Sequence, residues 1–226
     1  MADKSPKILH SELLDKLSQP VYSKNAMTVK HDATRERILN AGMELVPLMG
    51  YNATGLEAIL KKAGVPKGSF YHFFRTKQEF GLELLARAVA QSEQIRDRFL
   101  NDQTKEPLAR IDAYLDYVID LMGAQGCTRG CVVGNLSQEL SDQNEAFRLA
   151  LTQVFEQWEE KITLCLKEAQ DCGELDKAID CRALGRFFFS AFEGALLQAK
   201  VLRSVAPLRD LKEFWLHGVR LKQKQI

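Results

Sequence analysis

Apolar residues recur along most of the chain at three- and four-residue spacing, the period of a helix with one buried face rather than of a strand. Phe147, Leu151, Val154, Phe155, Trp158, Ile162, Cys165 and Leu166 keep one side apolar, while Glu156, Glu159, Glu160 and Lys161 take the other. The spacing predicts one long helix over 143–172, stopped by Gly173. The same reading predicts helices over 33–49, 55–63, 66–73, 77–101, 106–124, 131–140, 181–203 and 208–223. No proline falls between Pro107 and Pro207 to interrupt them. The predicted fold class is all-α.

Two helix starts carry the pattern of a capping box, Thr54-Gly-Leu-Glu57 and Thr76-Lys-Gln-Glu79. In such a box the Thr oxygen accepts a backbone N–H and the Glu reaches back to the cap. Pro47 is expected to bend or weaken the last turn of the first helix. Between the helices at 55 and 66 lies Lys62-Ala63-Gly64-Val65-Pro66-Lys67-Gly68. Gly64 in this run can take positive φ, and Pro66 is preset for the next helix. Two short helices must turn sharply there, with Ile59, Leu60, Phe70 and Phe74 as their core. In the N-terminal extension, residues 1–30, Ser5-Pro6 is read as the cap of a short helix that aligns Leu9, Leu13, Leu14 and Leu17. That segment is expected to dock on its own protein or on a dimer mate.

Composition changes this picture little, but charge changes it more. Of the 226 residues 46% are hydrophobic and 27% charged, ordinary for a globular protein, which excludes collagen-like and low-complexity architectures. The 31 basic and 30 acidic side chains nearly balance over the whole chain, yet residues 1–82 hold 12 basic against 8 acidic. A basic head on an acidic body is the distribution expected of a partner for polyanions. The longest apolar stretch, Phe187–Leu197, is interrupted by Glu193 and falls short of the roughly 20 residues a bilayer requires. No membrane span is expected, the N-terminus lacks the apolar core of a secretory signal, and the expected location is cytoplasmic. Five cysteines and four scattered histidines fit neither a disulfide framework nor a zinc site, so free thiols, no metal and no cofactor are expected.

The run Ala58–Phe80, AILKKAGVPKGSFYHFFRTKQEF, resembles the DNA-binding motif of TetR-family repressors. The resemblance begins at Thr34-Arg35-Glu36-Arg37-Ile38-Leu39, passes Gly50-Tyr51 and Thr54, and covers about 50 residues. It implies a helix-turn-helix domain over 31–80 followed by a helical ligand-sensing and dimerisation domain over 81–226. Position by position, Lys67, Gly68, Ser69, Tyr71 and His72 fall where the family's recognition helix meets DNA, and Thr54 and Lys77 where phosphates are held. The chemistry agrees, since Lys67 can donate to guanine, Gly68 permits close approach, and Ser69 accepts or donates. The implied partners are double-stranded DNA with a palindromic operator, a second copy of the chain, and a small-molecule effector.

One further segment carries chemistry, Gly126-Cys127-Thr128-Arg129-Gly130-Cys131 and the residues to Leu140. Cys131 is placed in the first turn of a helix, where the helix dipole and Arg129 are expected to favour thiolate. Together with Glu193-Gly-Ala-Leu-Leu-Gln-Ala-Lys200, this stretch resembles the TetR subgroup that contains the N-ethylmaleimide reductase repressor and the acrylate-responsive repressor. The resemblance implies that Cys131 senses an electrophile or oxidant, with Lys200 beside it, and Cys127 is a candidate resolving thiol. A purely non-covalent effector is the alternative within this class. A thiol-dependent enzyme is the alternative outside it, and no His stands near Cys131 in sequence to serve as its base; no enzymatic role is expected. For the dimer face, the helices over 181–203 and 208–223 offer a stripe of Phe188, Phe192, Ala195 and Leu202, with Ala191 and Gly194 allowing close packing.

Overall fold

The computed structural model describes residues 26–219, which form helices and turns without a strand. The helix assigned to the N-terminal extension and the 220–223 end of the last predicted helix lie outside the described residues. Helix α1 spans Ala26–Met49, beginning before residue 33 because the polar stretch ahead of it has no apolar period to reveal a helix. Pro47 lies inside α1, which continues to Met49 before Gly50 turns the chain at φ 84°.

Helix α2 covers Leu56–Ala63 and ends on Gly64, whose φ of 64° is the left-handed conformation a side chain disfavours. Val65 N–H then reaches the Leu60 carbonyl and Gly64 N–H the Lys61 carbonyl, at 3.1 and 3.2 Å, closing the helix end. The predicted helix over 66–73 begins as a 3-10 turn, Lys67–Ser69, and widens into α3 at Phe70–Phe73. Phe70, Phe74 and Phe80 are fully buried with ring centroids 5.2–5.6 Å apart. Each ring contributes roughly 2–3 kcal/mol of burial.

Helix α4, Lys77–Leu100, is the spine that carries this head into the body. Its start is capped by Thr76, whose side chain accepts the Glu79 N–H at 3.0 Å, while Glu79 reaches back to Arg75 N–H rather than to the cap itself. Arg35 pairs with Glu83, and Arg87 with Glu36 at 2.5 Å, tying α1 to α4. The body follows as α5 (Pro107–Ala124), α6 (Val132–Leu140), α7 (Glu145–Asp171), α8 (Cys181–Leu202) and α9 (Ala206–Val219).

Two apolar cores result. One joins α1–α4 to α6, the first half of α7 and Phe189; the other joins α5, the second half of α7, α8 and α9 around Leu108, Ile111, Leu166 and Phe188. Cys131 packs against both. The predicted dimer stripe is corrected here, because Phe188, Phe192 and Ala195 face inward and are at most 6% exposed. The most exposed apolar side chains described on α8 and α9 are Phe187, Val201, Leu202 and Phe214, each more than 60% exposed.

Candidate DNA-contact face and effector cavity

The short helix presents its polar residues outward because its aromatics are consumed by the core. Lys67, Gly68, Tyr71 and His72 are exposed, Ser69 is half-buried, and a Cβ added at Gly68 would meet nothing within 4 Å. Tyr71 is held at the surface edge-on to Phe70, 5.4 Å between centroids. Lys67 pairs with Glu57 of α2 at 2.6 Å, and that carboxylate holds its ammonium above the usual lysine range. Both partners are exposed, so DNA phosphates can compete for the cation.

Two residues assigned to phosphates are placed elsewhere. Thr54 is fully buried and its hydroxyl donates to the Gly50 carbonyl at 2.5 Å. The cap of α2 is Gly55, with no side-chain bond, so the predicted Thr54–Glu57 capping box does not form. Lys77 is half-buried, with its ammonium on the Tyr51 and Asn52 carbonyls at 2.8 and 3.4 Å and 4.7 Å from the Tyr51 ring centroid. Burial lowers its pKa. Its side chain is a clamp on the turn between α1 and α2, leaving the exposed face to residues 67–72.

Glu139 closes the same turn from the opposite side. Its two carboxylate oxygens accept the N–H groups of Tyr51 and Asn52, at 3.0 and 2.8 Å. Glu139 belongs to α6, so a body helix grips the head through backbone amides. Sequence reading passed over this residue, since a Glu late in an amphipathic helix looks like any solvated charge.

The N-terminal end of α6 opens on a cavity of about 330 Å³. Cys131, Gly134, Phe155, Phe189, Glu193, Leu196 and Lys200 are among its walls, so the structure brings Cys131 and Lys200 together. Cys131 is the N-cap of α6, its Sγ accepting the Gly134 N–H at 3.4 Å. The expected thiolate is corrected: burial first, then the negative charge of Glu193, push the thiol well above its usual range. Arg129 does not offset this; its charge acts on Glu44 of α1. Cys127 is buried in the body core at φ 53°, and all five cysteines are free.

Glu193 is the polar centre of the cavity. Burial raises its carboxyl to about 6, against the pull of the Cys131 thiol in hydrogen-bonding reach and of the Arg96 charge. Gly134 makes room for it, since a Cβ there would lie 2.5 Å from Glu193 Oε2. Behind it Arg96 is 3% exposed, with its guanidinium 4.3 Å from the Trp158 ring centroid. Glu193 Oε1, Arg96 Nη1 and Trp158 Nε1 are buried without a hydrogen-bond partner among the described residues. The sequence signal for Glu193 was its interruption of the longest apolar run; for Arg96 there was none.

A helix-turn-helix head whose exposed short helix is carried by a helical body with a partly open cavity is the design of a one-component DNA-binding regulator. Residues 38–84 match bacterial regulatory proteins of the tetR family, and residues 107–215 match the tetracyclin repressor-like C-terminal domain. The chain belongs to the TetR family of transcriptional regulators, DNA-binding proteins that act as dimers with small-molecule effectors. It is 38% identical over 190 residues to the transcriptional regulator AcuR of Cereibacter sphaeroides, covering 84% of this chain and 87% of that protein. It is 34% identical over 193 residues to the transcriptional repressor NemR of Escherichia coli, covering 80% of this chain and 90% of that protein. The crystal structure of a regulatory protein TetR from Rhodobacter sphaeroides superposes with a TM-score of 0.79 at 36% identity, over 82% of this chain and 98% of that one. Among the described residues no helix is long and apolar enough to cross a membrane.

Proposed function

We propose that this repressor binds a palindromic operator as a homodimer through Lys67, Gly68, Ser69, Tyr71 and His72, and that a small electrophile reacting at Cys131 releases it. In this reading residues 31–80 bind DNA and residues 81–226 sense and dimerise. The observation that carries it is the course of α6. One end holds Cys131 in the cavity wall and the other holds Glu139 on the Tyr51 and Asn52 amides. A helix of nine residues is a rod of about 13 Å. Packed helices answer added bulk by shifting as units, so an adduct at Cys131 moves the Glu139 clamp and the head with it. Two heads then lose the separation that matches half-sites about 34–36 Å apart. Lys200 lines the same wall and positions the effector; Cys127, enclosed in the body core, has no part as a resolving thiol.

The exposed Phe187, Val201, Leu202 and Phe214 support α8 and α9 as the dimer face. Phe214→Glu combined with Val201→Glu is expected to sediment as a monomer, and an intact dimer would move the interface elsewhere. The central test is operator release measured beside peptide mass spectrometry. Cys131→Ser is expected to bind operator normally and to lose release by a soft electrophile, while Cys165→Ser and Cys172→Ser respond as wild type. Normal release of Cys131→Ser would assign the cavity to a non-covalent effector.

A further inference from the structure

Cys131 presents a difficulty that the cavity itself answers. A thiol held protonated is a poor nucleophile, because the thiolate is the reacting species. Glu193, whose charge adds to the effect of desolvation, is also the group suited to remove its proton. Glu193 comes from α8 to the first turn of α6, and its Oε2 fills the space that the missing Cβ of Gly134 leaves beside the cap. Its Oε1 is buried and carries no hydrogen bond, so the carboxylate has a free lone pair inside the cavity.

We infer that Glu193 relays the proton of the Cys131 thiol, taking it as sulfur attacks an α,β-unsaturated carbonyl compound in the cavity and returning it to that compound's α-carbon. The inference rests on the reading of Cys131 as the sensing residue. In the step the S–H bond breaks toward Glu193, and sulfur forms a bond to the β-carbon. The C=C π pair moves to the α-carbon, which takes the proton back from Glu193. Atoms and charge balance without an oxidant or a second reactant, and Glu193 ends as the carboxylate it was.

The arrangement explains why the thiol is held protonated. A standing thiolate would be consumed by any electrophile that reached it, whereas this thiol reacts only with a molecule seated where the carboxylate can act. The charged and titratable groups around Glu193 come from every neighbouring helix: Cys131 of α6, Arg96 of α4, Tyr114 of α5, Glu159 of α7 and Lys200 of its own helix. Arg96 favours the ionised carboxylate, so the resting base is unprotonated at neutral pH.

The test is the rate at which full-length protein acquires a methyl vinyl ketone adduct at Cys131, followed by peptide mass spectrometry between pH 5 and 9. In the wild type the rate is expected to fall below about pH 6 and to vary within about threefold between pH 6.5 and 8, whereas in Glu193→Gln it climbs about tenfold per pH unit, as for an unassisted thiol. Operator binding by Glu193→Gln shows that the variant is folded. Equal slopes in the two proteins overturn the relay, as does a wild-type rate climbing tenfold per unit through pH 8, a readout that needs no variant. Absence of any Cys131 adduct in the wild type overturns the sensing reading itself, and the relay with it.

Discussion

The head and the body of this protein treat polar groups in opposite ways. In the head the interior is closed by Phe70, Phe74 and Phe80, and the functional side chains from Lys67 to His72 stand on the surface. In the body Glu193, in the wall of a cavity, has a carboxylate oxygen buried without a partner among the described residues. The difference follows from the ligands. A duplex is too large to enclose, so its site is a surface made rigid from beneath. A small effector can be enclosed, and a buried unpaired group, which costs about 1–3 kcal/mol in the empty fold, is a preformed partner for it.

The largest effect should separate the closed centre of the head from the wall of the cavity. Phe80→Ala is expected to destabilise the protein by about 3–5 kcal/mol in denaturant unfolding. Phe189→Ala, which enlarges a cavity already present, should lose about half as much. Equal losses would mean that the cavity wall at Phe189 is as tightly closed as the centre of the head. Next, Glu139→Ala removes two charge-assisted bonds and should lower stability by about 2–3 kcal/mol. Its operator binding should become insensitive to Cys131 modification, and a normal response in a release assay would locate the coupling outside α6.

The two lysines of the head refine the contrast between surface and interior. Lys67→Ala should cost roughly 1–3 kcal/mol at the operator and relax sequence preference. Lys77→Met should lower stability by about 1 kcal/mol and leave the salt dependence of DNA binding unchanged, because its ammonium serves two carbonyls. Binding titrations at several salt concentrations decide it; a reduced slope for Lys77→Met would return that residue to the phosphate contacts.

The smallest effect is a pH dependence. With its pKa raised from 4.5 to about 6, Glu193 binds a proton more tightly in the folded chain than in the unfolded one. The stability gained from protonation is fully present below pH 4.5 and is lost as pH rises through about 6. On lowering pH from 7 to 4 the wild type should gain at most about 2 kcal/mol relative to Glu193→Gln. Parallel curves in denaturant melts would show that the carboxyl is not buried in solution.

Helix extents and the turn at Gly64 were legible because they depend on neighbours within a few residues: the spacing of Phe147 to Leu166, the Thr76 cap and the Gly64–Pro66 pair. The candidate contacts from Lys67 to His72 were legible through the resemblance to the TetR family's motif, and the structure leaves Lys67, Gly68, Tyr71 and His72 exposed. Errors arose where distant chain segments decide. Thr54 has the spacing of a cap, but Gly50 captures its hydroxyl. Cys131 has the position of an activated thiol, but desolvation by the packed helices, and then Glu193 arriving from another helix, reverse the sign. Phe188, Phe192 and Ala195 share one stripe, as their spacing requires, yet spacing does not say whether that stripe faces a partner or the protein's own core.

The bonds between α6 and the head end on main-chain N–H groups of Tyr51 and Asn52, with no recognition side chain taking part. On the proposed reading, a lineage could exchange residues 67–72 and acquire a new operator while the link to the cavity stays intact, so that the address read and the signal obeyed would be separately inheritable.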